Sequence, residues 1–435
     1  MATELRRALG ITHATAMVVG TIIGASIFVQ PSEITRQMPS ELGILLVWVA
    51  AGLLTLAGAL VCAELASAYP ETGGVYVFLR ESCGPAVAFL WGWAMLLSMH
   101  SGIIAAIATV FARYAAVFVP MSALSMRLVA AGVIMVLSAV SYLGIRLGGR
   151  VQNIFTLAKV LAVVAIIAAG LRWPGPAPAA LDVAAPANFH GFVLAIAAGL
   201  FAYGGWHMVT YTAGETIDAP RTIPRALFIG TLVVTACYAG LNMVYLKVLP
   251  LSAVRSSTHV AADAADVLLG GGGAALMAVV VMVSAFGAVN GIILVGPRVY
   301  YSMARDGLLF ERLGHVDPKF GTPGPAILVQ AVMATLLALT NVYGALFSRV
   351  IYTEWIFFAL MAGGLLRLRR RADYRPAYRL PAATMVVTIF VAASAVIVWT
   401  QIAANVTDSV IGLGLVLAGL PIYRVWSSRA SHRLP

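Results

Sequence analysis

The chain has 435 residues, 61% hydrophobic and only 10% charged, with a formal net charge of +11. A soluble globular domain carries roughly 25% charge and 45–50% apolar residues, so a fully water-facing fold is excluded and lipid must solvate much of the surface. The basic excess does not imply nucleic acid, because its placement follows a membrane topology instead.

Apolar stretches long enough to cross a bilayer as helix, roughly 20 residues each, are predicted at 11–35, 42–67, 84–118, 125–143, 151–171, 190–213, 226–249, 274–303, 325–341, 346–366, 381–402 and 408–425. They are continuous apolar runs, which excludes the alternating strands of a β-barrel. The first span follows a short polar segment, Met1–Gly10, with no small-residue cleavage pattern, so it is expected to stay as helix 1 rather than leave as a signal peptide. The polar stretches between spans are short: 172–189, 214–225, 250–268, 304–324 and 367–380. No soluble domain is expected, and 1–435 reads as one transmembrane domain. The Pro- and Ala-rich 172–189 stretch is expected outside, as is 250–268, with a short helix around Ala261–Leu268.

With the N-terminus inside, 20 of the 28 Lys and Arg residues fall in inside loops and 7 outside, and Lys159 lies within a span. The positive-inside rule then predicts both termini in the cytoplasm and an even number of spans, and the plasma membrane is the expected location. Cys62, Cys83 and Cys237 lie in or beside spans and form no metal or redox spacing, so they read as small buried hydrophobes.

Two spans are interrupted. Helix 1 carries Gly20, Gly24, Ala25 and Ser26 and is closed by Pro31; helix 6 carries Gly199, Gly204 and Gly205 at its middle. Glycine clusters at matching positions of two five-helix halves point to discontinuous helices. Backbone groups freed by unwinding are costly in hydrocarbon unless they line a cavity or meet a ligand. A half-helix N-terminus offers N–H donors to a carboxylate, and the opposing end offers carbonyls to an ammonium. A zwitterionic amino acid matches both. The competing reading is close helix packing, since Gly20 and Gly24 also have GxxxG spacing.

Five motifs in order carry a resemblance. Gly20-Thr-Ile-Ile-Gly-Ala-Ser-Ile-Phe-Val-Gln-Pro31 resembles the helix 1 signature G-x-x-I-G-S-G-I-F-x-x-P of the amino acid–polyamine–organocation superfamily. Ala63-Glu-Leu-Ala-Ser-Ala-Tyr-Pro-Glu-Thr-Gly-Gly-Val-Tyr76 is similar to its helix 2–3 loop. Phe201-Ala-Tyr-Gly-Gly-Trp206 with Gly214-Glu-Thr-Ile-Asp-Ala-Pro-Arg-Thr-Ile-Pro224 resembles helix 6 of the L-type amino-acid transporters. Asn290-Gly291 with Arg298 and Ala304-Arg-Asp-Gly307, and then Arg375-Pro-Ala-Tyr-Arg-Leu-Pro381, resemble helix 8 with its loop and the loop before helix 11.

The resemblance implies an all-α polytopic membrane protein of twelve transmembrane helices. These would form a LeuT-like pair of inverted five-helix repeats, about 11–171 and 190–366, plus two extra helices over 381–425. It implies amino-acid uptake or exchange by alternating access, without a cofactor or metal. It places the substrate carboxylate at the amides of Ile23, Gly24, Ala25 and Ser26, and the ammonium at the carbonyls around Phe201, Ala202, Tyr203 and Gly204. Phe201 and Trp206 are expected to gate the site. Ala25 and Ser26 depart from the family's serine and glycine, which would shrink the pocket and favour small neutral substrates.

Lys159 lies about 13 Å into helix 5 by helical rise, and so deep a charge is expensive and usually functional. By resemblance it supplies a fixed positive charge where Na⁺-coupled relatives hold a cation, which implies Na⁺ independence; it could also carry a coupled proton. Snorkelling to the cytoplasm is the alternative. Glu354, in helix 10, is a second coupling candidate or an internal bundle pair. His207 reads as a titrating group or a polar residue in a vestibule. Tyr238, Asn242 and Tyr245 share one face of helix 7 and either line the substrate path or join helices. Glu64 and Glu215 lie at cytoplasmic ends, as gate salt bridges or solvated groups.

The external loop around Pro120–Ser125 lacks the cysteine by which heteromeric family members join a heavy chain, so no disulfide-linked partner is expected and the chain reads as a monomer. Other readings are a polyamine or other amine carrier and a nutrient sensor on a transporter fold. A membrane enzyme finds no support, because HExxH, GxSxG, P-loop and paired intramembrane Asp motifs are missing.

Overall fold

The computed structural model describes residues 5–175, 188–340 and 343–431. The predicted external loop at 172–189 falls mostly on 176–187, outside the described residues. The chain is helical throughout. The first half contains α1 (Ile11–Ile22), a 3₁₀ turn (Ser26–Phe28), α2 (Gln30–Gln37), α3 (Glu41–Ala68), α4 (Val75–Cys83) and α5 (Pro85–Ala94). A π turn (Met95–Met99) runs into α6 (His100–Ala115), followed by α7 (Ala123–Tyr142) and α8 (Ile145–Leu171). The second half contains α9 (Phe189–Ala202), a 3₁₀ stretch (Trp206–Glu215), α10 (Ala219–Val248), α11 (Leu251–Ser256), α12 (Val260–Leu269), α13 (Gly273–Val295), α14 (Pro297–Arg305) and α15 (Gly324–Thr340). Then come α16 (Tyr343–Leu368), α17 (Ala383–Ala404), α18 (Val406–Leu417) and α19 (Gly419–Ser431).

Nine helical stretches among the described residues are long and apolar enough to span a bilayer, and α1 and α15 are shorter apolar helices. Their outward faces carry exposed Leu, Ile and Val, as at Leu42, Leu53, Ile154 and Leu161. In water such a surface would aggregate; in lipid it is the solvated face. The protein is a multi-pass membrane protein.

α1 sits at the centre, against α8, α10 and α13, while α3 packs along α10. The two glycines of the GxxxG spacing have different tasks. A Cβ at Gly20 would collide with Gln152 and Thr156, so Gly20 sets the close approach of α1 to α8. A Cβ at Gly24 would meet only Ala288 Cβ at 3.7 Å and the Ile22 carbonyl at 3.9 Å, so close packing does not require glycine there. The short external helix expected at Ala261–Leu268 is α12.

The end of the bundle that carries the N-terminal segment is closed by paired charges. Ala8 and Leu9 donate their N–H groups to the Glu215 carbonyl at 2.8 and 3.0 Å, and Ile217 N–H donates to the Leu9 carbonyl at 2.9 Å. The Glu215 carboxylate is fully buried and receives Arg298 Nε at 2.8 Å and Nη2 at 3.0 Å. Glu64 receives Arg369 Nε at 2.8 Å and the Leu380 N–H at 2.7 Å. Arg80 and the Tyr76 hydroxyl both reach Asp306 at 2.7 Å. The two open readings of Glu64 and Glu215 thus resolve to ion pairs rather than solvated side chains.

Candidate substrate site

The α1 backbone leaves helical geometry at Ile23, where ψ is 85°, and resumes at the 3₁₀ turn that begins with Ser26. α9 ends at Ala202, and the chain passes Gly205 at φ +96° before the stretch from Trp206. That left-handed value favours glycine. A Cβ there would also press on Thr21 at 3.2 Å, because Gly205 and Thr21 touch across the two interruptions. The Thr21 hydroxyl donates to the Gly205 carbonyl at 3.2 Å.

The freed carbonyls are mostly accounted for. Tyr238 donates its hydroxyl to Ile22 O at 2.9 Å and to Ala202 O at 3.0 Å, so one phenol ties both interruptions together. Lys159, wholly buried, donates to Gly20 O at 3.0 Å, Ile23 O at 2.6 Å and Ser284 O at 3.1 Å. Its ammonium therefore stays inside, bridging α8, α1 and α13, and does not snorkel. Ser284 Oγ adds a bond to Gly24 O at 3.0 Å. By contrast, the N–H groups of Ala25, Ser26 and Ile27 donate to no backbone carbonyl among the described residues. The interruption of α1 thus presents free donors and occupied acceptors, which suits an anionic group.

A cavity of about 300 Å³ opens beside these donors. That is the lower end of the range for small-molecule sites. Gly24, Ala25, Ser26, Phe201, Gly204 and Trp206 line it, and Glu354 is its one ionisable wall residue. Val29 and Phe201, exposed at 41% and 38%, are among its exposed lining residues. The remaining wall is largely apolar, from α6 residues such as Ile103 and Ile107 and from Trp355 and Phe358 of α16.

Four of the expected site residues are not on the wall. Ile23 and Lys159 lie behind it, joined to each other. Ala202 is buried with its carbonyl held by Tyr238, and the Tyr203 ring packs with Trp48 and Tyr238 while its hydroxyl donates to Trp48 O at 3.1 Å. The Phe201 carbonyl accepts the Gly204 N–H at 3.2 Å. Tyr238, Asn242 and Tyr245 are buried between helices rather than along the cavity.

Sequence reasoning passed over three features. Ser284 is one polar residue in the Val-rich run of α13, and that contrast could have flagged it. The double role of Tyr238 and the approach of His207 Nε2 to Glu354 Oε1, at 3.7 Å, leave no local pattern. His207 is fully buried among aromatic rings and is not in a watery vestibule.

The family model described as amino acid permease matches residues 9–420. The serine/threonine exchanger SteT of Bacillus subtilis is 31% identical over 423 residues, covering 96% of each chain. The human b(0,+)-type amino acid transporter 1 is 31% identical over 385 residues, 84% of this chain and 77% of its own length. The mouse large neutral amino acids transporter small subunit 2 is 30% identical over 435 residues, 96% of this chain and 81% of its own. The chain belongs to the amino acid permease family of the amino acid–polyamine–organocation superfamily, and is an amino-acid transporter related to the L-type carriers.

Proposed function

We propose that the protein moves small or neutral L-amino acids across the plasma membrane by alternating access, as an exchanger or proton-coupled symporter that does not use Na⁺. The supporting observation is the cavity itself: about 300 Å³, with the free amides of Ala25 and Ser26 on one wall and apolar side chains on the others. The amides would take the substrate carboxylate. The ammonium would lie toward the second lone pair of the Phe201 carbonyl and the Tyr203–Gly204 backbone. Ser26, where the family has glycine, narrows the space for a side chain. The similarity to a serine/threonine exchanger agrees with a small substrate.

In this reading the chain crosses the membrane twelve times, as two inverted five-helix repeats over about 11–171 and 190–366 with two further helices over 381–425. The interruptions at 23–25 and 203–205 are their broken first helices. The excess of basic residues in alternate loops supports a cytoplasmic N-terminal face, which in this reading is the side closed by the Arg298–Glu215 and Arg369–Glu64 pairs. Lys159 holds a positive charge among three carbonyls between α1, α8 and α13, leaving no place for Na⁺ there. With no cysteine in the loop around Pro120–Ser125, the chain is expected to work as a monomer without a disulfide-linked heavy chain. An amine or polyamine substrate would call for several carboxylates, and Glu354 is the one on the wall.

The test is uptake into proteoliposomes with and without unlabelled amino acid inside, at varied pH and in Na⁺ or choline. Labelled small neutral amino acids should enter equally in either salt, driven by internal substrate or by protons. Steep Na⁺ dependence overturns the role given to Lys159. A protein that moves amines and no amino acid overturns the whole reading.

A further inference from the structure

Behind the cavity wall lies a second polar feature that substrate binding does not use. Among the described residues, His207 has no hydrogen-bond partner on either ring nitrogen, and neither do His100 Nε2, the Tyr211 hydroxyl and Trp91 Nε1. These atoms belong to one cluster. His207 packs against Trp91 at 5.7 Å and Tyr211 at 5.5 Å between ring centroids, and Tyr211 packs against His100 at 5.6 Å. His100 Nδ1 and the Tyr300 hydroxyl are 3.0 Å apart. Buried polar groups are nearly always satisfied, and each orphan costs about 1–3 kcal/mol. Five such atoms in one contiguous cluster make a polar pocket within the apolar bundle, of the kind that takes up buried water. The backbone is irregular at the same place, because the π turn at Met95–Met99 sets His100 on its inward face, and π turns recur at functional sites.

The cluster has direction. At one end Glu354, on the cavity wall, faces His207 at 3.7 Å. At the other, Tyr300 lies two residues beyond Arg298, and Tyr211 lies four before Glu215, so the line of groups stops at the buried ion pair of the N-terminal face. We infer that Glu354 and His207 form a proton-loading site attached to the substrate cavity, and that Tyr211, His100 and Tyr300, bridged by water admitted when the Arg298–Glu215 pair opens, pass the proton toward the N-terminal face. The inference rests on the transport reading above and adds which groups take the proton.

The physical reason is charge. A carboxylate walled by Trp355, Phe358 and Trp206 cannot stand bare in a membrane interior, and its one close ionisable neighbour is an imidazole with no other partner. The pair is therefore held with a proton while the site is sealed, and gives it up when water reaches it from the other side. The proton adds to a Glu354 carboxylate oxygen from the far side, that O–H breaks as His207 Nε2 takes the proton, and each later group releases one O–H or N–H proton as it takes another, so every group returns to its starting form and no bond between heavy atoms changes. The remaining titratable groups near the pair are Tyr211 on its own stretch, His100 on α6, Tyr300 on α14 and Cys62 on α3. Arg80 and Glu81 of α4 lie at the N-terminal face in their own network with Asp306. Tyr352 of α16 is bound to Ser409 O of α18, beside Asp408, and α17 has no titratable residue.

The test uses the full-length protein in proteoliposomes with the membrane potential clamped. Two quantities are read: exchange of labelled for unlabelled amino acid at symmetric pH, and accumulation into substrate-free vesicles driven by acid outside. Wild type should do both, with accumulation at least fivefold above the level without a pH gradient. His207→Gln, behind the cavity wall, should keep exchange and lose the accumulation. Glu354→Gln should leave whatever exchange remains independent of pH between about 5 and 8. If His207→Gln does not assemble, His100→Gln carries the same split of readouts. Wild-type exchange without acid-driven accumulation overturns the inference, as does full accumulation by His207→Gln. Loss of exchange in the wild type itself would overturn the transport reading instead.

Discussion

The Lys159 ammonium lies 2.6 Å from the Ile23 carbonyl, the backbone oxygen at the point where α1 leaves helical geometry. With Gly20 O and Ser284 O it completes a set of three acceptors from two helices. Those oxygens face no water and, without the lysine, two would lose their principal donor. The lysine thus holds the interruption of α1 open and fixes it against α13.

Lys159→Met keeps the apolar stem and removes the donors. Charge-assisted bonds are worth roughly 1.5–3 kcal/mol each and buried orphans cost extra, so a loss of about 3 kcal/mol in stability is expected. Uptake should fall at least tenfold. Lys159→Arg should not restore it, because a planar fork cannot aim at three carbonyls grouped around a point charge. Thermal midpoint in detergent and initial uptake rate measure both; a Lys159→Met protein with unchanged uptake would remove the role assigned to this residue.

The glycines at the two interruptions should behave unequally. Gly205→Ala places a Cβ at φ +96° and 3.2 Å from Thr21; a non-glycine residue in such a region costs of order 1–3 kcal/mol. Both thermal stability and uptake should drop. Gly24→Ala meets Ala288 Cβ at 3.7 Å, an ordinary contact. Its stability should stay near wild type, while its effect falls on substrate size, since Gly24 lines the cavity. Equal destabilisation by the two changes would contradict this division.

Much of this was legible in the chain and some was not. The glycine clusters at 20–24 and 199–205 are legible because glycine on a hydrophobic stretch leaves a local mark, and they fall where α1 ends at Ile22 and α9 at Ala202. Lys159 stood out because a charge in an apolar run is conspicuous whatever surrounds it. What stayed hidden was pairing across distance. Tyr238 looks like one polar residue among three on a helix face, yet it is the one that reaches Ile22 and Ala202. His207 and Glu354 each looked ambiguous alone, and their approach depends on how α16 lies against the 3₁₀ stretch, which no periodicity records. Backbone satisfaction was also invisible: Ala202 and Tyr203 were expected to present carbonyls to a substrate, and the Ala202 oxygen accepts the Tyr238 hydroxyl while neither residue lines the cavity.

Ser26 is the place to alter selectivity. It lines the cavity where the family motif has glycine. A carbon more or less in a binding pocket is worth about 1–3 kcal/mol of discrimination. Ser26→Gly should therefore shift competition toward larger neutral amino acids by roughly tenfold or more, with the small substrates held about as before. A panel of unlabelled amino acids competing with one labelled small substrate reads this directly. An unchanged ranking would mean that the wall at Ser26 does not touch the side chain.

The Arg298–Glu215 pair closes the N-terminal face, and its two partners should not be equivalent to a simple stabilising bridge. Both side chains are fully buried, with Nε and Nη2 bound to the two carboxylate oxygens at 2.8 and 3.0 Å. Removing the guanidinium alone strands a carboxylate inside the protein, which costs about 3–5 kcal/mol. Arg298→Met should therefore lower the thermal midpoint sharply. Glu215→Gln in the Arg298→Met background removes the stranded charge and should recover a large part of that loss, since neutral, well-packed replacements for buried pairs are often tolerated. The same double variant should transport poorly. The pair holds the chain near Leu9 against the end of the 3₁₀ stretch through the Glu215 carbonyl, and without it closure of the N-terminal face is no longer favoured. A cysteine-reactive probe applied from the N-terminal side, aimed at a cysteine introduced at Ser302, should label the double variant several-fold faster than the parent cysteine protein. If stability recovers and labelling does not change, the pair is a packing element and not the inner gate.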